Sequence, residues 1–305
     1  MNTWYCAVPV ATMWTSSESA RDIDKAGIEN PVRLNKWLEQ LSFEARLDLC
    51  EANRVQTQLL YGEPVIVEEI QGDWAKVIAV WQPTKKDKRG YPGWVPLIQL
   101  KEAQSIHAQG FTKVTSGKAQ LWGMDGSPSI VIPFNTILPY MVEMGDYVHV
   151  CTPDGEALLL NRDVEKAASI HLFDKRPVAE AVDKGLVCLD LPDLWGGTSS
   201  YGYDCSGFTY AMLKACGYLI ARDADDQARG GQAVPLDDQS LWEKGDLLFF
   251  ADDEGKGNVR HVGFYCGSGL LLHSHCTGKS VEVIKLAESS LASELCAVRR
   301  YGLLV

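Results

Sequence analysis

A change of pattern near residue 170 constrains the fold of this chain more than any other feature. Residues 1–168 consist of short strand-like runs separated by Gly, Pro and Asp. Such runs are typical of small β-barrels or sandwiches. Residues 169–305 begin instead with helical patterns and continue with several strands, which indicates an α+β arrangement. The sequence therefore predicts an all-β region followed by an α+β domain.

The all-β region is expected to form two domains. Residues 1–104 contain strand-like segments such as VIVEEI and AKVIAVWQ, and residues 105–168 contain four further candidate strands. Residues 33–60 interrupt the first set with apolar side chains at helical spacing. We therefore expect a first β-domain with a helical insertion near 33–60, a second small β-domain, and an α+β domain over residues 169–305.

The charge balance limits the classes of partner. Among 305 residues, 29 Lys and Arg against 40 Asp and Glu give a formal net charge of −11 at pH 7. Nucleic acids and anionic membranes attract basic surfaces, so neither is an expected partner. The sequence has no run of 18 apolar residues, and its first residues lack the basic start of a signal peptide. We therefore expect no transmembrane helix, and no signal peptide in these first residues. Whether an export signal precedes them is left open by the sequence.

Nine cysteines are spread singly along the chain, and no C-x-x-C pair occurs. This spacing does not match a structural zinc site, so neither a metal nor another cofactor is expected. Most of the cysteines are expected to be buried free thiols in a reducing compartment. Cys205 differs, because it opens a predicted helix after the Gly-containing segment 195–198. The free N–H groups and dipole of a helix start favour a thiolate.

Three of the six histidines, His261, His273 and His275, lie in the same domain as Cys205. A nucleophilic thiol needs a base, and this base is usually a histidine oriented by a third polar group. The cluster therefore predicts a Cys–His–polar triad with Cys205 as the nucleophile and His261 as the base. The pattern alone leaves His273 and His275 open as the orienting residue.

The predicted hairpin that carries these histidines consists of HVGFYC and LLLHSH, joined by residues 267–269. Pairing of Cys266 with Leu270 places the odd-numbered histidines on one polar face, within side-chain reach of each other. The opposite face is then apolar and suited to packing. This second face is expected to hold Val262, Phe264, Cys266, Leu270 and Leu272.

Several motifs of the last domain, taken in order, resemble those of the NlpC/p60 cysteine peptidases. They are DCSGF (204–208), GDLLFF (245–250), HVGFY (261–265), GSG (267–269) and His273. The resemblance implies a papain-like α+β domain. The spacing of twelve residues between His261 and His273 is similar to that of the family and favours His273 as the orienting residue.

The preceding domains resemble those of the YkfC-type γ-D-glutamyl-L-diamino acid endopeptidases, which carry bacterial SH3-like β-barrels. The motifs concerned are VPVAT with WT (8–15), QLLYGE (58–63) and GYPGWVP (90–96). The resemblance implies hydrolysis of the γ-D-glutamyl-L-diamino acid bond in small muropeptides with a free N-terminal L-Ala. It also implies a role in cytoplasmic murein peptide recycling, with no metal or cofactor.

The same resemblance implies a set of substrate-binding residues. Tyr91 and Glu63 match a tyrosine and an acidic residue that meet the free amine of the substrate. The other matching positions are Trp195, Asp204, Ser206, Asp223 and Ala224. Ala224 is often a serine in the family, so one side-chain hydrogen bond to substrate is missing here.

Two other functions remain open from the sequence. SH3-like domains often bind peptides or wall polymers, so the chain could be a wall-binding protein with a subordinate catalytic domain. The thiol could also carry out amidase or acyl-transfer chemistry. A dedicated binder would keep its binding after Cys205→Ala, and product identity would separate hydrolysis from acyl transfer. The diamino acid, Lys or diaminopimelate, is also left open.

Overall fold

A computed structural model describes residues 2–104 and 108–302 of the chain. His107, an isolated histidine that we expect from the sequence to be structural or exposed, lies outside the described residues. The chain divides into two compact units. The first comprises Met1–Trp81, Lys86–Phe173 and Ser199–Tyr201, and the second comprises Gln82–Lys85, Asp174–Thr198 and Gly202–Val305.

The first unit contains two antiparallel sheets of seven strands each. The first sheet consists of β1 (Asn2–Cys6), β2 (Val10–Trp14), β3 (Val55–Leu60), β4 (Pro64–Gln71), β5 (Trp74–Ala79), β6 (Tyr91–Pro96) and β7 (Leu100–Gln104). The second consists of β8 (Gly110–Val114), β9 (Lys118–Trp122), β10 (Pro128–Pro133), β11 (Ile137–Met144), β12 (Tyr147–Thr152), β13 (Gly155–Leu160) and β14 (Val164–Ala167).

The two sheets share one topology. The strand order is β3-β2-β6-β5-β4-β1-β7 in the first sheet and β10-β9-β13-β12-β11-β8-β14 in the second. Adding seven to each strand number of the first sheet gives the order of the second. Each sheet has its own apolar core. Met13, Val77 and Tyr91 belong to the first core, whereas Leu121 and Val150 belong to the second. The first unit therefore contains two successive sheets of the same strand order.

A helical insertion separates β2 from β3. It contains α1 (Lys25–Ile28), α2 (Leu34–Gln40) and α3 (Phe43–Glu51). The prediction of helix was wrong for residues 55–60, which form β3. The left-handed backbone of Asn53, with φ 47°, follows α3. Val55, Thr57 and Leu59 then alternate with Gln56 and Gln58, a period suited to a strand.

The remaining elements give the α+β part of the chain. They are α4 (Ala179–Leu186), β15 (Thr198–Ser199), β16 (Gly202–Tyr203), α5 (Cys205–Ala215), α6 (Ala224–Gln227), β17 (Gln232–Val234), β18 (Leu247–Ala251), α7 (Asp252–Gly255), β19 (Val259–Gly267), β20 (Leu270–Ser274), β21 (Val281–Lys285) and β22 (Leu295–Arg300). The last six-stranded sheet has the order β17-β22-β18-β19-β20-β21. The predicted α+β fold class is therefore confirmed.

The β19–β20 hairpin keeps the expected register at two pairs, Phe264 with Leu272 and Tyr265 with Leu271. The predicted pairing of Cys266 with Leu270 was wrong, because a bulge after Tyr265 shifts the register and Leu270 pairs with Gly267. The even-numbered face packs on helices, since the ring of Phe264 lies 6.0 Å from that of Phe208 in α5. This packing fixes the hairpin against the helix that Cys205 begins.

The odd-numbered face of the hairpin is less polar than the sequence suggested. Tyr265 and Leu271 are buried in an apolar cluster that also contains Trp242 and Phe250. Both faces of this part of the sheet are therefore covered, and the prediction of a polar face holds only at its histidine end. A strand covered on both faces buries its polar groups, which must then find partners inside the protein.

In the two described ranges, no helix is both long enough and apolar enough to cross a membrane.

Candidate active site

Cys205 is the first residue of α5, as the sequence predicted, and its side chain is partly buried. Asp204 caps the helix, because its Oδ1 accepts a hydrogen bond of 2.6 Å from the backbone N–H of Gly207. A helix does not use its first N–H groups internally, so they can stabilise negative charge nearby. The thiol is therefore held beside a group of hydrogen-bond donors.

Two glycines allow the loop before Cys205 to pass very close to the helix. A Cβ on Gly207 would collide with the carbonyl oxygen of Gly197. A Cβ on Gly197 would collide with the carbonyl oxygen of Gly202. Larger residues at either position would push the loop away from the helix start. The Gly-containing segment is thus a packing requirement of the site.

A buried ion pair fixes the cap of the nucleophile helix. Arg222 Nη2 donates to Asp204 Oδ2 at 2.7 Å and Arg222 Nη1 donates to Asp204 Oδ1 at 3.1 Å. The Arg222 side chain is 1% exposed. Gly196 N–H and Ser206 Oγ also donate to this carboxylate, at 2.9 Å and 3.3 Å. With Gly207 N–H it accepts five hydrogen bonds, which occupies its acceptor capacity.

The side chains of Asp204 and Ser206 are therefore occupied by hydrogen bonds within the protein. This geometry indicates that they position the helix start rather than bind substrate directly. Ser206 Oγ also accepts a hydrogen bond of 2.9 Å from Arg222 Nη1. Sequence reasoning did not single out Arg222, because an isolated arginine is usually exposed. Its partner lies 18 positions away, and no local pattern connects the two.

His261 lies in β19, and its side chain is 6% exposed. Its Nε2 lies 2.7 Å from Nδ1 of His273 in β20, which is fully buried. The backbone of Val262, the next residue, hydrogen-bonds to the thiol of Cys205. The structure thus brings the predicted nucleophile to the strand of the predicted base, and the base to its predicted orienting residue.

His275 does not contact His261 in the same way. Its ring centroid lies 6.4 Å from that of His261 and 5.0 Å from that of His273. Its Nδ1 lies 3.0 Å from Cys276 Sγ. Of the two histidines that the pattern left open, His273 is the one hydrogen-bonded to His261.

The electrostatics of the site favour a neutral thiol and neutral imidazoles. Burial raises the pKa of Cys205, and the negative charges of Asp204 and Asp193 raise it further. Burial also lowers the pKa of His261 well below its usual value, and the neighbouring histidines add to this effect. His273 has its pKa lowered to about 3, again mainly by burial. At neutral pH the imidazoles are therefore able to accept a proton.

Other predicted substrate-binding residues of the same unit lie near these elements. Trp195 precedes Gly196 in the loop before the nucleophile and is 37% exposed. Asp223 precedes α6 and Ala224 begins it, and both are partly buried. Their exposure leaves room for contact with a ligand.

Tyr91 and Glu63 belong to the other compact unit. Tyr91 is 2% exposed, its hydroxyl is hydrogen-bonded to Lys86 Nζ, and this ammonium lies 4.1 Å from its ring centroid. Glu63 is also 2% exposed, and its Oε2 accepts a hydrogen bond of 3.1 Å from Leu60 N–H. Each side chain is therefore largely buried and has a hydrogen-bond partner within its own unit.

Comparison with known proteins agrees with this arrangement. The sequence profile of the NlpC/P60 family matches residues 192–300, and that of the YKFC SH3b2 domain matches residues 114–166. The first match contains Cys205, His261 and His273. The second lies within the second β-domain.

Relatives match almost the whole chain. The γ-D-glutamyl-L-lysine dipeptidyl-peptidase of Bacillus subtilis is 44% identical, over 95% of this chain and 96% of that protein. The protein of the same name from Bacillus cereus is 38% identical, over 96% of this chain and 89% of its own. A crystal structure of an NlpC/P60 family protein from B. cereus superposes with a TM-score of 0.90 at 36% identity, covering 98% of this chain and 99% of that one. The chain therefore belongs to the NlpC/P60 family of cysteine peptidases.

Proposed function

We propose that this peptidase hydrolyses the bond between γ-D-Glu and an L-diamino acid in muropeptides with a free N-terminal L-Ala. Cys205 acts as the nucleophile, His261 as the base and His273 as the residue that orients it. The observation that carries this proposal is the buried 2.7 Å contact between His261 and His273, on the strand that hydrogen-bonds to the Cys205 thiol.

The tautomers follow from this contact. His261 Nε2 is engaged with His273, which leaves Nδ1 to accept the proton of the thiol. His261 must then carry its proton on Nε2 and donate it to His273 Nδ1. His273 in turn carries its own proton on Nε2. The pair thus orients the base in the same manner as the third member of a triad.

The reaction then proceeds in two steps. Cys205 Sγ attacks the γ-carbonyl carbon of D-Glu while His261 Nδ1 takes the thiol proton. N–H groups at the start of α5 stabilise the negative oxygen, and His261 returns the proton to the leaving amine of the diamino acid. Water then attacks the thioester with His261 again as the base. This step releases the γ-carboxyl group and restores the thiol.

The names of the relatives support the proposed substrate. Both Bacillus proteins are called γ-D-glutamyl-L-lysine dipeptidyl-peptidases, and a dipeptidyl-peptidase removes a dipeptide from a free N-terminus. We propose that Tyr91 and Glu63 bind the free amine, and that Trp195, Asp223 and Ala224 contact the peptide. Asp204 and Ser206 hold the nucleophile helix in place. A site built for an amine rejects an acylated substrate, since its buried polar groups stay unpaired.

We also propose that the protein acts in murein peptide recycling in the cytoplasm. All nine cysteines lie within the described residues and are free thiols there. Free thiols on this scale are typical of a reducing compartment. A substrate with a free L-Ala amine has already lost its sugar, which is the form that a recycling enzyme would meet.

The test is incubation with L-Ala-γ-D-Glu-L-Lys and with the diaminopimelate analogue, followed by mass spectrometry. We expect release of the diamino acid, abolished by Cys205→Ala and retained by Cys188→Ala, which removes another thiol of the same unit. Cleavage that persists in Cys205→Ala would refute the assigned nucleophile. Products linked to an added amine instead of water would indicate acyl transfer. Wall-polymer binding without cleavage would favour the binding function.

A parallel assay with the N-acetylated peptides tests recognition of the amine. We expect the free-amine peptide to be preferred, and Tyr91→Phe and Glu63→Gln to reduce this preference. Equal cleavage of both forms by the wild-type protein would leave the peptidase assignment intact and refute the proposed role of these two residues.

A further inference from the structure

A second group of side chains includes His273 of the histidine pair and extends to the neighbouring strand β21. His273 in β20 pairs directly with Glu282 in β21, and His275 follows two positions later. Directly paired residues of neighbouring strands have adjacent side chains on the same face. Single ligand atoms from His273, His275 and Glu282 all lie within 4.8 Å of one another.

One atom of this group is a buried nitrogen without a partner. His273 is fully buried, and its Nε2 has no hydrogen-bond partner among the described residues. The nearest charged atom is Glu282 Oε1 at 3.8 Å, which is too long for a hydrogen bond. The same oxygen lies 3.9 Å from Nε2 of His275. A buried nitrogen that faces an imidazole and a carboxylate is suited to hold a cation.

We propose that His273, His275 and Glu282 form an inhibitory site for a divalent transition-metal ion, with Zn²⁺ as the reference ion. Two imidazole nitrogens and one carboxylate oxygen suit zinc, which binds such ligands at about 2.0–2.2 Å and leaves a fourth position for water. The ligand atoms of tetrahedral zinc are then about 3.3 Å apart. The two histidine–glutamate separations, 3.8 Å and 3.9 Å, need to close by about half an ångström each. The ligand atoms of the two histidines start within 4.8 Å of each other.

The surroundings permit this closure. The side chains of His275 and Glu282 are 36% and 38% exposed, so both can move and an ion can enter from solvent. Nδ1 of His275 is already in contact with Cys276 Sγ at 3.0 Å, which leaves Nε2 for the metal. Contacts of this kind orient the ligating histidine. The expectation of no metal was based on cysteine spacing and did not consider the H-x-H motif.

The inhibition rests on the proposed function and follows from counting protons. In the active form His261 carries its proton on Nε2, and His273 carries its proton on Nε2. A metal on His273 Nε2 requires the proton of that residue on Nδ1, where it is donated to His261 Nε2. The proton of His261 must then lie on Nδ1, the nitrogen that should accept the thiol proton. The number of protons is unchanged, but the base is blocked.

Metal binding is tested first without any activity assay. Tag-free Cys205→Ala protein is titrated with ZnCl₂ by calorimetry, and with Co²⁺ by visible spectroscopy. We expect one ion per chain and a tetrahedral Co²⁺ spectrum without a thiolate charge-transfer band. His275→Ala and Glu282→Gln should each weaken binding by at least about tenfold, whereas His171→Ala, which removes an exposed histidine elsewhere, should not. A thiolate band, or unchanged binding in both variants, would overturn the site.

Inhibition is tested next on the wild-type protein with the muropeptide. We expect Zn²⁺ to stop hydrolysis reversibly, with chelator restoring it. His275→Ala should require at least about tenfold more Zn²⁺, relative to its own rate in chelator. Binding without inhibition would refute the tautomer block. If the protein does not hydrolyse the muropeptide even in chelator, the proposed function is refuted and the metal-binding result stays valid. If the protein hydrolyses the muropeptide but binds no metal, the metal site is refuted and the proposed function stays valid.

Discussion

Two buried carboxylates, one in each compact unit, are held by similar donors but have different consequences. Asp24 in the helical insertion accepts hydrogen bonds from Arg21 Nε at 2.8 Å and from Trp37 Nε1 at 2.8 Å. Asp204 accepts from both terminal nitrogens of Arg222 and from backbone N–H groups. In each case an arginine and neutral N–H groups satisfy one carboxylate.

The difference lies in the arginine. The Arg21 side chain is 19% exposed and also donates to Asp48 Oδ2 at 2.6 Å. The Arg222 side chain is 1% exposed, and its charge is balanced by Asp204. An arginine that contacts solvent and a second carboxylate can lose one partner at little cost in stability. A buried arginine that loses its carboxylate leaves an unpaired buried charge, which costs much more. An Arg–Asp ion pair can thus contribute little to stability in one unit, whereas in the other it is required to hold the nucleophile in position.

The largest effect is expected from Asp204→Asn. It leaves the Arg222 charge buried without its carboxylate, which costs about 3–5 kcal/mol in the free energy of unfolding. It also loosens the start of α5, so kcat should fall at least about tenfold, because small displacements of a nucleophile reduce rates strongly. Urea unfolding and kcat with the tripeptide measure both quantities.

The double variant Asp204→Asn with Arg222→Met separates the two effects. Removing both charges should restore much of the stability, since a buried ion pair is often replaceable by apolar packing. It should not restore kcat, because the cap of the helix is still altered. Recovery of both quantities would show that Asp204 acts only through the charge of Arg222.

Gly207→Ala should have the next largest effect. Its Cβ would collide with the carbonyl oxygen of Gly197 and displace the loop before Cys205. Overpacking of this kind costs about 1–3 kcal/mol, and kcat should fall with it. The matched control is Gly117→Ala in the second β-domain, where a Cβ would meet nothing within 4 Å. Its thermal unfolding should be unchanged, and equal effects of the two substitutions would contradict the close approach.

Acid should destabilise the two units in a definite order. His261 and His273 are neutral in the folded protein because their pKa values are lowered, the latter to about 3. The unfolded chain takes up these protons below about pH 6.5, so acid favours unfolding by about 1.4 kcal/mol per pH unit for each histidine. This stability is present above pH 6.5 and is lost as the pH falls toward the folded pKa.

Hydrogen exchange measured in chelator at pH 6.5 to 4.5 locates this loss. Exchange rates are first corrected for the intrinsic pH dependence of amide exchange. As the pH is lowered, the corrected rates should rise in β19 and β20 at a higher pH than in the β-domains. There, the pKa values of Asp48 and Asp87 are lowered by hydrogen bonds to arginines, for Asp87 to about 2. Their contribution is lost only in stronger acid. Simultaneous loss in both units would contradict this order.

Local patterns were sufficient to predict much of the peptidase unit. The start of α5 and the register of the β19–β20 hairpin follow from a capping aspartate, a short Gly-containing turn and a period of two. The register in turn brings His261 within reach of both His273 and His275, and only the family resemblance favoured His273. These features depend on neighbours in sequence, and a single chain displays them directly.

Features that depend on distant contacts were not predictable in this way. Arg222 and Glu282 show no local signal, because their partners come from other elements of the fold. The apolar cluster around Tyr265 and Leu271 was missed, since alternation does not show that a second layer covers the histidine-bearing face. The helix predicted through residues 55–60 failed because Asn53 ends the helical backbone before that strand begins.

The smallest effect is expected from Asp24→Asn, and this variant tests the comparison most directly. The amide oxygen still accepts from Trp37 Nε1, and Arg21 keeps Asp48 and solvent as partners. The free energy of unfolding should therefore fall by only about 1 kcal/mol, with faster hydrogen exchange confined to α1–α3 and with kcat unchanged. A cost equal to that of Asp204→Asn would show that exposure of the arginine does not determine the energy. A loss of kcat at unchanged stability would show instead that the helical insertion contributes to turnover.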